Sequence, residues 1–242
     1  MTDVQNAEAQ PKSAIWLVLR IFDEPVEVFK ELAARPSILL PMILIVIVTG
    51  ISAFAIPDAV LKDQTRTQLE AVQERADLSD EEVEERVDRA ASTTTRFWFI
   101  FVVLSAATLL VMAIYSLVLM LIFGATGPEP IRFKAEFAVM LHAYVIALAG
   151  AVLMLLLMRF AGMSNPTLLS LGFLFGQDTS PFLHRLANQI TLFGTWNMLL
   201  VALGNQILSK GKSFTGPLFI VGGLWLLIKV GLAALGGLGF GG

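Results

Sequence analysis

The sequence predicts an all-α, polytopic membrane protein with five transmembrane helices, an N-terminal interfacial amphipathic helix and a charged extracytoplasmic helical hairpin. The first observation is composition: of 242 residues, 56% are hydrophobic and only 15% are charged. The mean hydropathy is +0.74. A soluble domain of this length needs far less apolar surface to fill its core. The second observation is that five apolar stretches have about the 20 residues a helix needs to cross a bilayer.

The five predicted spans are delimited by turn-forming residues. Pro36 and Pro41 stand at the start of the first span, where a missing N–H costs least, and Pro57 ends it. "GATGPEP" at 124–130 separates the second span from the third, and "SKGKSFTGP" at 209–217 separates the fourth from the fifth. The spans run roughly over residues 37–56, 97–123, 133–158, 186–208 and 217–235.

The placement of Lys and Arg in short loops predicts the orientation of the spans. With a cytoplasmic N-terminus, the basic residues divide evenly between the two sides of the membrane, so their number alone does not predict the orientation. The two short loops at 124–134 and 209–217 are compactly basic, whereas the long loop after the first span is net acidic. We therefore predict a multi-pass protein of the cell (inner) membrane, with the N-terminus cytoplasmic and the C-terminus extracytoplasmic.

A polar arm at 1–13 is predicted to be disordered, and the membrane domain occupies 14–242. Before the first span, a short apolar patch at 15–22 is followed by a second helix in "DEPVEVFKELAARP" at 23–36, which places Pro25 at a first helical position, with Val26, Phe29, Leu32 and Ala33 on one face. A helix this short cannot span. It is predicted to lie in the headgroup plane, and packing under the bundle is the alternative.

The segment at 58–96 is predicted to be a helical hairpin inserted after the first span. It holds 11 of the 20 acidic residues of the chain. Ser79 and Glu82 form a capping-box pattern, so the second helix is expected to begin near Asp80. The acidic run is predicted to be a solvated, salt-paired face, with weak binding of divalent cations as the alternative. Between spans three and four, "NPTLLSLGFLF" at 165–175 is too short to cross and predicts a re-entrant or interfacial helix.

The sequence offers little catalytic chemistry. The absence of cysteine excludes disulfides, thiolate metal sites and Cys nucleophiles. "EEVEER" at 81–86 and "HRLAN" at 184–188 fit two short patterns of the CAAX-processing membrane proteases, but the Glu pair belongs to the aqueous hairpin, so the match is interpreted as coincidence. No nucleotide- or nucleic-acid-binding motif is present. We predict no enzymatic activity, no cofactor and no metal site.

His142 lies inside the third span, and an ionisable residue within a membrane is a functional-site hypothesis by default. The alternative is a structural hydrogen bond between a neutral imidazole and Tyr144, Tyr115 or Asn197. Lys229 of the fifth span lies near its outer end and can extend its ammonium group to the interface.

The fourth span, "TLFGTWNMLLVALGNQIL" at 191–208, is unusually polar. On a helical wheel, one face holds Asn188, Thr191, Thr195 and Gln206, and the opposite face holds Asn197 and Gly204. A pore would need one polar stripe, whereas two such faces favour close packing against neighbouring helices. Asn197 is the one position of this span that we predict as a candidate for binding a ligand. The candidate packing or polar-path residues are His142, Asn188, Thr191, Thr195, Trp196, Asn197, Gly204 and Gln206.

Three stretches resemble the Yip family, whose name refers to interaction with Ypt/Rab GTPases. They are "IFDEPVEVFKELAARPSILLPMIL" at 21–44, "NQITLFGTWNMLLVALG" at 188–204 and "GLWLLIKVG" at 223–231. The residues that carry the resemblance are Pro25, Phe29, Pro36, Phe193, Trp196, Gly204 and Trp225.

The resemblance implies a bacterial family member with a cytosolic N-terminus, five spans and a tendency to associate with itself or with other membrane proteins. The short N-terminal arm and the charged hairpin depart from the eukaryotic pattern, so GTPase binding is not carried over. The predicted function is a non-enzymatic membrane scaffold or accessory protein, for example of an export system, that binds other membrane proteins or shapes the bilayer. The alternative is a small transporter or channel with a polar path at His142 and span four. No nucleic-acid partner is expected.

Overall fold

The computed structural model describes residues 13–55, 62, 65–66, 69, 79–92, 95–128, 130–160, 169–175 and 180–236. The predicted disordered arm lies outside these residues, apart from Ser13. Most of the first arm of the predicted hairpin also lies outside them.

The described residues form helices, as predicted, with no named strand among them. A nine-residue π-helix, Arg96–Leu104, leads directly into α5, and a 3₁₀-helix covers Leu171–Leu174. The α-helices are α1 Ala14–Arg20, α2 Pro25–Ala34, α3 Leu39–Ala55, α4 Asp80–Ala91, α5 Ser105–Thr126, α6 Phe133–Phe160, α7 Pro181–Gln189, α8 Leu192–Leu208 and α9 Thr215–Gly236.

Three helical stretches are long and apolar enough to cross a membrane. They are Phe101–Thr126, Phe133–Phe160 and Thr215–Ala234, with 26, 28 and 20 residues. Two further helices are apolar but shorter, within α3 and α8. These lengths and compositions indicate a membrane protein.

The centre of the bundle is the first half of α6. Every residue from Ala135 to Ala143 is buried, because α6 packs against α8, α5, α3, α2 and α1. The helix therefore has no polar face, and its sequence shows no amphipathic periodicity. This burial is the feature that positions the polar side chains described below.

Two glycines allow α6 and α8 to approach closely. A Cβ atom added to Gly204 would lie 2.2 Å from Val139 Cγ1, and one added to Gly150 would lie 2.6 Å from the Phe193 ring. Small residues at such positions are what permits tight packing between membrane helices. Gly204, one of the candidate packing residues, and Phe193, one of the residues that carry the resemblance, therefore both lie at close contacts between α6 and α8.

The helix α2 begins with Pro25 at its first turn, as predicted, and packs against α8 and α6. Its buried face consists of Val28, Phe29 and Leu32, each 0% exposed. Val26 and Ala33, which were expected on this face, are exposed instead. The helix therefore matches the alternative of packing against the bundle.

The fourth predicted span is not one continuous helix. The chain leaves the helical path at Ile190 and Thr191, between α7 and α8. The Thr191 hydroxyl accepts a hydrogen bond of 3.0 Å from Gly194 N and caps α8. The Ile190 carbonyl accepts a bond of 2.9 Å from Leu171 N. The helical wheel that placed Asn188 on one face with the α8 side chains was wrong, because these bonds separate the two helices.

The predicted re-entrant helix is represented among the described residues by the four-residue 3₁₀-helix Leu171–Leu174. Its Phe173 and Leu174 side chains are exposed. Residues 165–168 of the predicted segment lie outside the described part of the chain.

The capping box at the start of α4 is confirmed. Ser79 Oγ accepts a hydrogen bond of 3.2 Å from Glu82 N, and Glu82 Oε2 accepts one of 2.9 Å from Ser79 N. Two ion pairs join α4 to the first arm of the hairpin. Lys62 Nζ lies 2.6 Å from Asp88 Oδ1, and Arg66 pairs with Glu84. The salt-paired face predicted for the hairpin is therefore present at these positions.

We expect the order of α4 to depend on pH through Glu82. The hydrogen bonds from Ser79 hold the pKa of the Glu82 carboxyl below its ordinary value of 4.5. The stabilisation is therefore present above pH 4.5 and is lost as the pH falls through the lower, folded value. Hydrogen–deuterium protection of the α4 amides, corrected for intrinsic exchange, should fall in that range. In Ser79→Ala this decline should be reduced, and an equal decline in both proteins would contradict the assignment.

Candidate functional site

Two fully buried polar side chains meet between α6 and α8. Asn205 Nδ2 donates a hydrogen bond of 2.9 Å to Glu136 Oε1, and a second bond of 3.0 Å to Val201 O on its own helix. Glu136 and Asn205 are both 0% exposed. The carbonyl of Val201 only accepts, so the atom beside it is the amide nitrogen and the orientation of the Asn205 side chain is determined. We call these residues the Glu136–Asn205 pair.

One oxygen on each side chain of the pair has no partner. Glu136 Oε2 and Asn205 Oδ1 are buried and make no hydrogen bond within the described part of the chain. The nearby Ser209 hydroxyl donates to the Asn205 backbone carbonyl at 2.7 Å, not to the side chain. Buried polar atoms are normally hydrogen-bonded, so two orphaned acceptors in one pair require an explanation.

A full negative charge on Glu136 would be poorly compensated by the protein. No ion pair to Glu136 is formed among the described residues, and the charged neighbours Arg132 and Lys134 are exposed. The N-terminus of α6 contributes about 0.3–1 kcal/mol, up to about 2 kcal/mol. Removing an ion from water costs several kcal/mol. The cost of removing the ion from water is larger than the stabilisation by the helix N-terminus. The negative charge of Glu136 therefore has to be neutralised by a proton or by a bound cation.

A pocket of about 330 Å³ lies between α6, α8 and α9, and we call it the Asn197 pocket. Asn197 Oδ1 is buried and has no hydrogen-bond partner among the described residues. Lys229 Nζ lies 5.8 Å from the centroid of the Trp225 ring, within the range of a cation–π contact. The lining also includes Tyr144, Gly150, Thr191 and Phe193. A cation, a free acceptor and apolar walls suit a small amphipathic molecule with a polar end.

His142 is fully buried on α6 and satisfies one nitrogen on its own helix. Its Nδ1 donates to Ala138 O at 2.8 Å, and Nε2 has no partner among the described residues. The predicted alternative partners do not make this bond, and the Tyr115 hydroxyl donates to Val221 O at 3.3 Å instead. The Ala138 carbonyl lies one turn away on the same helix, so this hydrogen bond forms without a side chain from a second helix. His142 does not line the Asn197 pocket.

The other predicted site residues are dispersed. Thr195 Oγ1 donates to Thr191 O at 2.9 Å, and Gln206 Nε2 donates to Gly211 O at 3.4 Å. Each bond is local to α8 and the turn that follows it. These side chains therefore contribute to helix ends and packing and do not converge on one site.

The remaining two lie at contacts between elements. The Trp196 ring meets the Phe22 ring edge-on, with centroids 6.1 Å apart and planes at 88°. Asn188 contacts the 3₁₀ segment, where Ser170 Oγ donates to its Oδ1 at 3.5 Å. Trp196 therefore joins α8 to the N-terminal helices, as expected for a packing residue.

Sequence reasoning missed the Glu136–Asn205 pair. Glu136 stands in "RFKAEF", close to Lys134, where it resembles an ordinary acidic residue in the first turn of a helix. The missed signal was the apolar run "FAVML" that follows it directly. Asn205 follows the packing residue Gly204 by one position, and only the facing helix identifies its partner.

Within the described part of the chain, no group of three or more His, Asp or Glu side chains is placed to hold a metal ion. No protein-family model, curated protein or solved structure matches the chain.

Proposed function

We propose that this protein is a non-enzymatic integral membrane scaffold or accessory protein of the bacterial Yip type, which associates with other membrane proteins or with itself. The observation that carries this proposal is the use made of the polar side chains of α8. Thr191 and Thr195 form hydrogen bonds at the start of α8. Asn205 bonds to Glu136 of α6, and Gly204 allows α6 to approach closely. These residues of α8 are therefore used for its helix end and for its packing against α6, as expected of a packing helix, and this use supports a scaffold over a lined polar path. Nucleic-acid and GTPase binding form no part of the proposal.

The proposal includes five spans, with the N-terminus cytoplasmic and the C-terminus extracytoplasmic in the cell membrane. The two shorter apolar helices, α3 and α8, have 17 residues each, or about 26 Å at 1.5 Å per residue. Flanking turns would complete the roughly 30 Å crossing.

The orientation has a direct test because the chain contains no cysteine. We expect a single Cys at Glu85 to react with a membrane-impermeant maleimide on intact cells. A single Cys at Lys212 should react only after permeabilisation. Both positions are exposed, so accessibility is matched. The opposite pattern would invert the proposed topology.

Partner association is tested by site-specific photocrosslinking in cells. A benzoylphenylalanine at Glu81 or Glu85, on the exposed face of α4, should give a discrete adduct, because the proposed scaffold docks a partner through its hairpin. The same group at Lys212, exposed beyond α8, is the control. The proposal fails if no position of α4, or of the exposed faces of the spans, gives an adduct with another membrane protein or a second copy of the chain.

The second candidate is a small transporter or channel, and the Asn197 pocket favours it. Its test is flux of ions and small solutes in reconstituted vesicles. Asn197→Ala should reduce flux at least several-fold, whereas Asn188→Ala, outside the pocket, should not. If neither Asn197→Ala nor His142→Ala changes any flux in correctly assembled protein, transport is excluded as the role of these residues.

A further inference from the structure

We propose that the Glu136–Asn205 pair is a proton-binding site, in which a proton on Glu136 Oε2 donates a hydrogen bond to Asn205 Oδ1. This inference is independent of the proposed function, because it concerns a ligand of the bundle itself. It assigns a role to the two buried oxygens that have no partner in the described part of the chain.

The hydrogen-bonding capacity of the pair leads to the proton. Both N–H groups of the Asn205 amide are used, one by Glu136 Oε1 and the other by Val201 O. Two oxygens remain without a partner, Glu136 Oε2 and Asn205 Oδ1. The amide oxygen can only accept a hydrogen bond, and the carboxyl oxygen can only accept one while the acid is ionised. A single proton on Oε2 gives each oxygen a partner. It closes an acid–amide ring with two hydrogen bonds, one in each direction.

The charges around the pair are consistent with a neutral acid. No charged side chain is present on α8, α5 or α3, and Tyr115 of α5 uses its hydroxyl on Val221 O. On α6 itself, Lys134 is exposed and His142 donates to Ala138 O. The charged residues of α1 and α2 are exposed or half-exposed: Arg20, Glu27, Lys30 and Glu31. Arg20, Glu27 and Lys30 form local ion pairs.

The bound proton has a structural consequence. With it, the pair links α6 to α8 by two hydrogen bonds. Without it, the two acceptor oxygens remain buried with no hydrogen-bond partner, which opposes the contact. A metal cation would instead need several more oxygen ligands, and the neighbouring Ser209 hydroxyl is directed at a backbone carbonyl. The hydrogen-bonding capacity of the pair therefore favours the proton as the ligand.

Infrared spectroscopy of the full chain in lipid tests the proposal directly. At neutral pH, we expect the carbonyl stretching band of a protonated carboxylic acid, shifted on transfer to D₂O. The band should be absent in Glu136→Gln, which keeps the acceptor for Asn205 Nδ2. It should remain in Glu31→Gln, a control on the half-buried surface of α2. In Asn205→Leu it should move to higher frequency, because the acid loses its hydrogen-bond partner.

A chemical probe supplies a second measurement that needs no variant. A hydrophobic carbodiimide adds a carboxylic acid across its C=N bond: the acid proton goes to nitrogen and the carboxyl oxygen bonds to carbon. We expect the resulting adduct on Glu136 by mass spectrometry, with no protection by Na⁺. The proposal is overturned if the wild-type protein shows no acid band, if Glu136→Gln retains it, or if Na⁺ protects Glu136 from the probe.

Discussion

Phe29→Ala is expected to reduce the free energy of unfolding by about 3–5 kcal/mol. The Phe29 side chain is 0% exposed and belongs to the central apolar cluster. It lies on the buried face of α2, the helix that packs against α8 and α6. Its removal leaves a cavity where a helix that does not span the membrane meets the bundle, so the loss should appear as a lower thermal midpoint in mild detergent.

The matched control for Phe29 is Val26→Ala on the same helix. Val26 is 40% exposed, so its truncation leaves no enclosed cavity and should cost less than about 1 kcal/mol. Similar losses in the two variants would mean that α2 does not pack against the bundle as described.

Gly204→Val is expected to destabilise the contact between α6 and α8 by about 1–3 kcal/mol or more, through overpacking. The Cβ alone would lie 2.2 Å from Val139 Cγ1, and a β-branched side chain has few rotamers with which to avoid it. The thermal midpoint in detergent again measures the loss, together with weaker protection of the α6 and α8 amides from hydrogen exchange.

Two further variants separate this clash from a general effect of valine. A Cβ at Gly223, on α9, meets nothing within 4 Å, so Gly223→Val should be neutral or slightly stabilising. Shortening the facing residue in Gly204→Ala/Val139→Ala should recover part of the stability lost in Gly204→Ala. Without that recovery, the loss cannot be assigned to the contact with Val139.

Local signals in the sequence accounted for the elements whose ends are set locally. Pro25 predicted the start of α2, and Ser79 with Glu82 predicted the start of α4, because proline and capping side chains act within one helical turn. The break at Thr191 was missed. Its Thr cap is local, but Leu171, which donates to the Ile190 carbonyl, lies 19 positions away in the sequence.

The candidate site also combines residues that local signals identify with partners that lie far away in the sequence. Thr191 and Asn197 were singled out as polar residues in an apolar helix, and both line one pocket. Their partners on α6 and α9, including Tyr144 and Lys229, could not be placed beside them, because helix periodicity says which face a residue occupies but not what that face meets.

By itself, the sequence determined that the chain is helical, apolar enough for a membrane, and free of cysteine chemistry, since composition and short-range patterns act within each helix. Only the tertiary structure decided that Glu136 is buried and that Asn205 is its partner. The physical reason is that burial and hydrogen bonding of a side chain depend on the neighbouring helix, here one 69 residues away. No pattern within either helix carries that information.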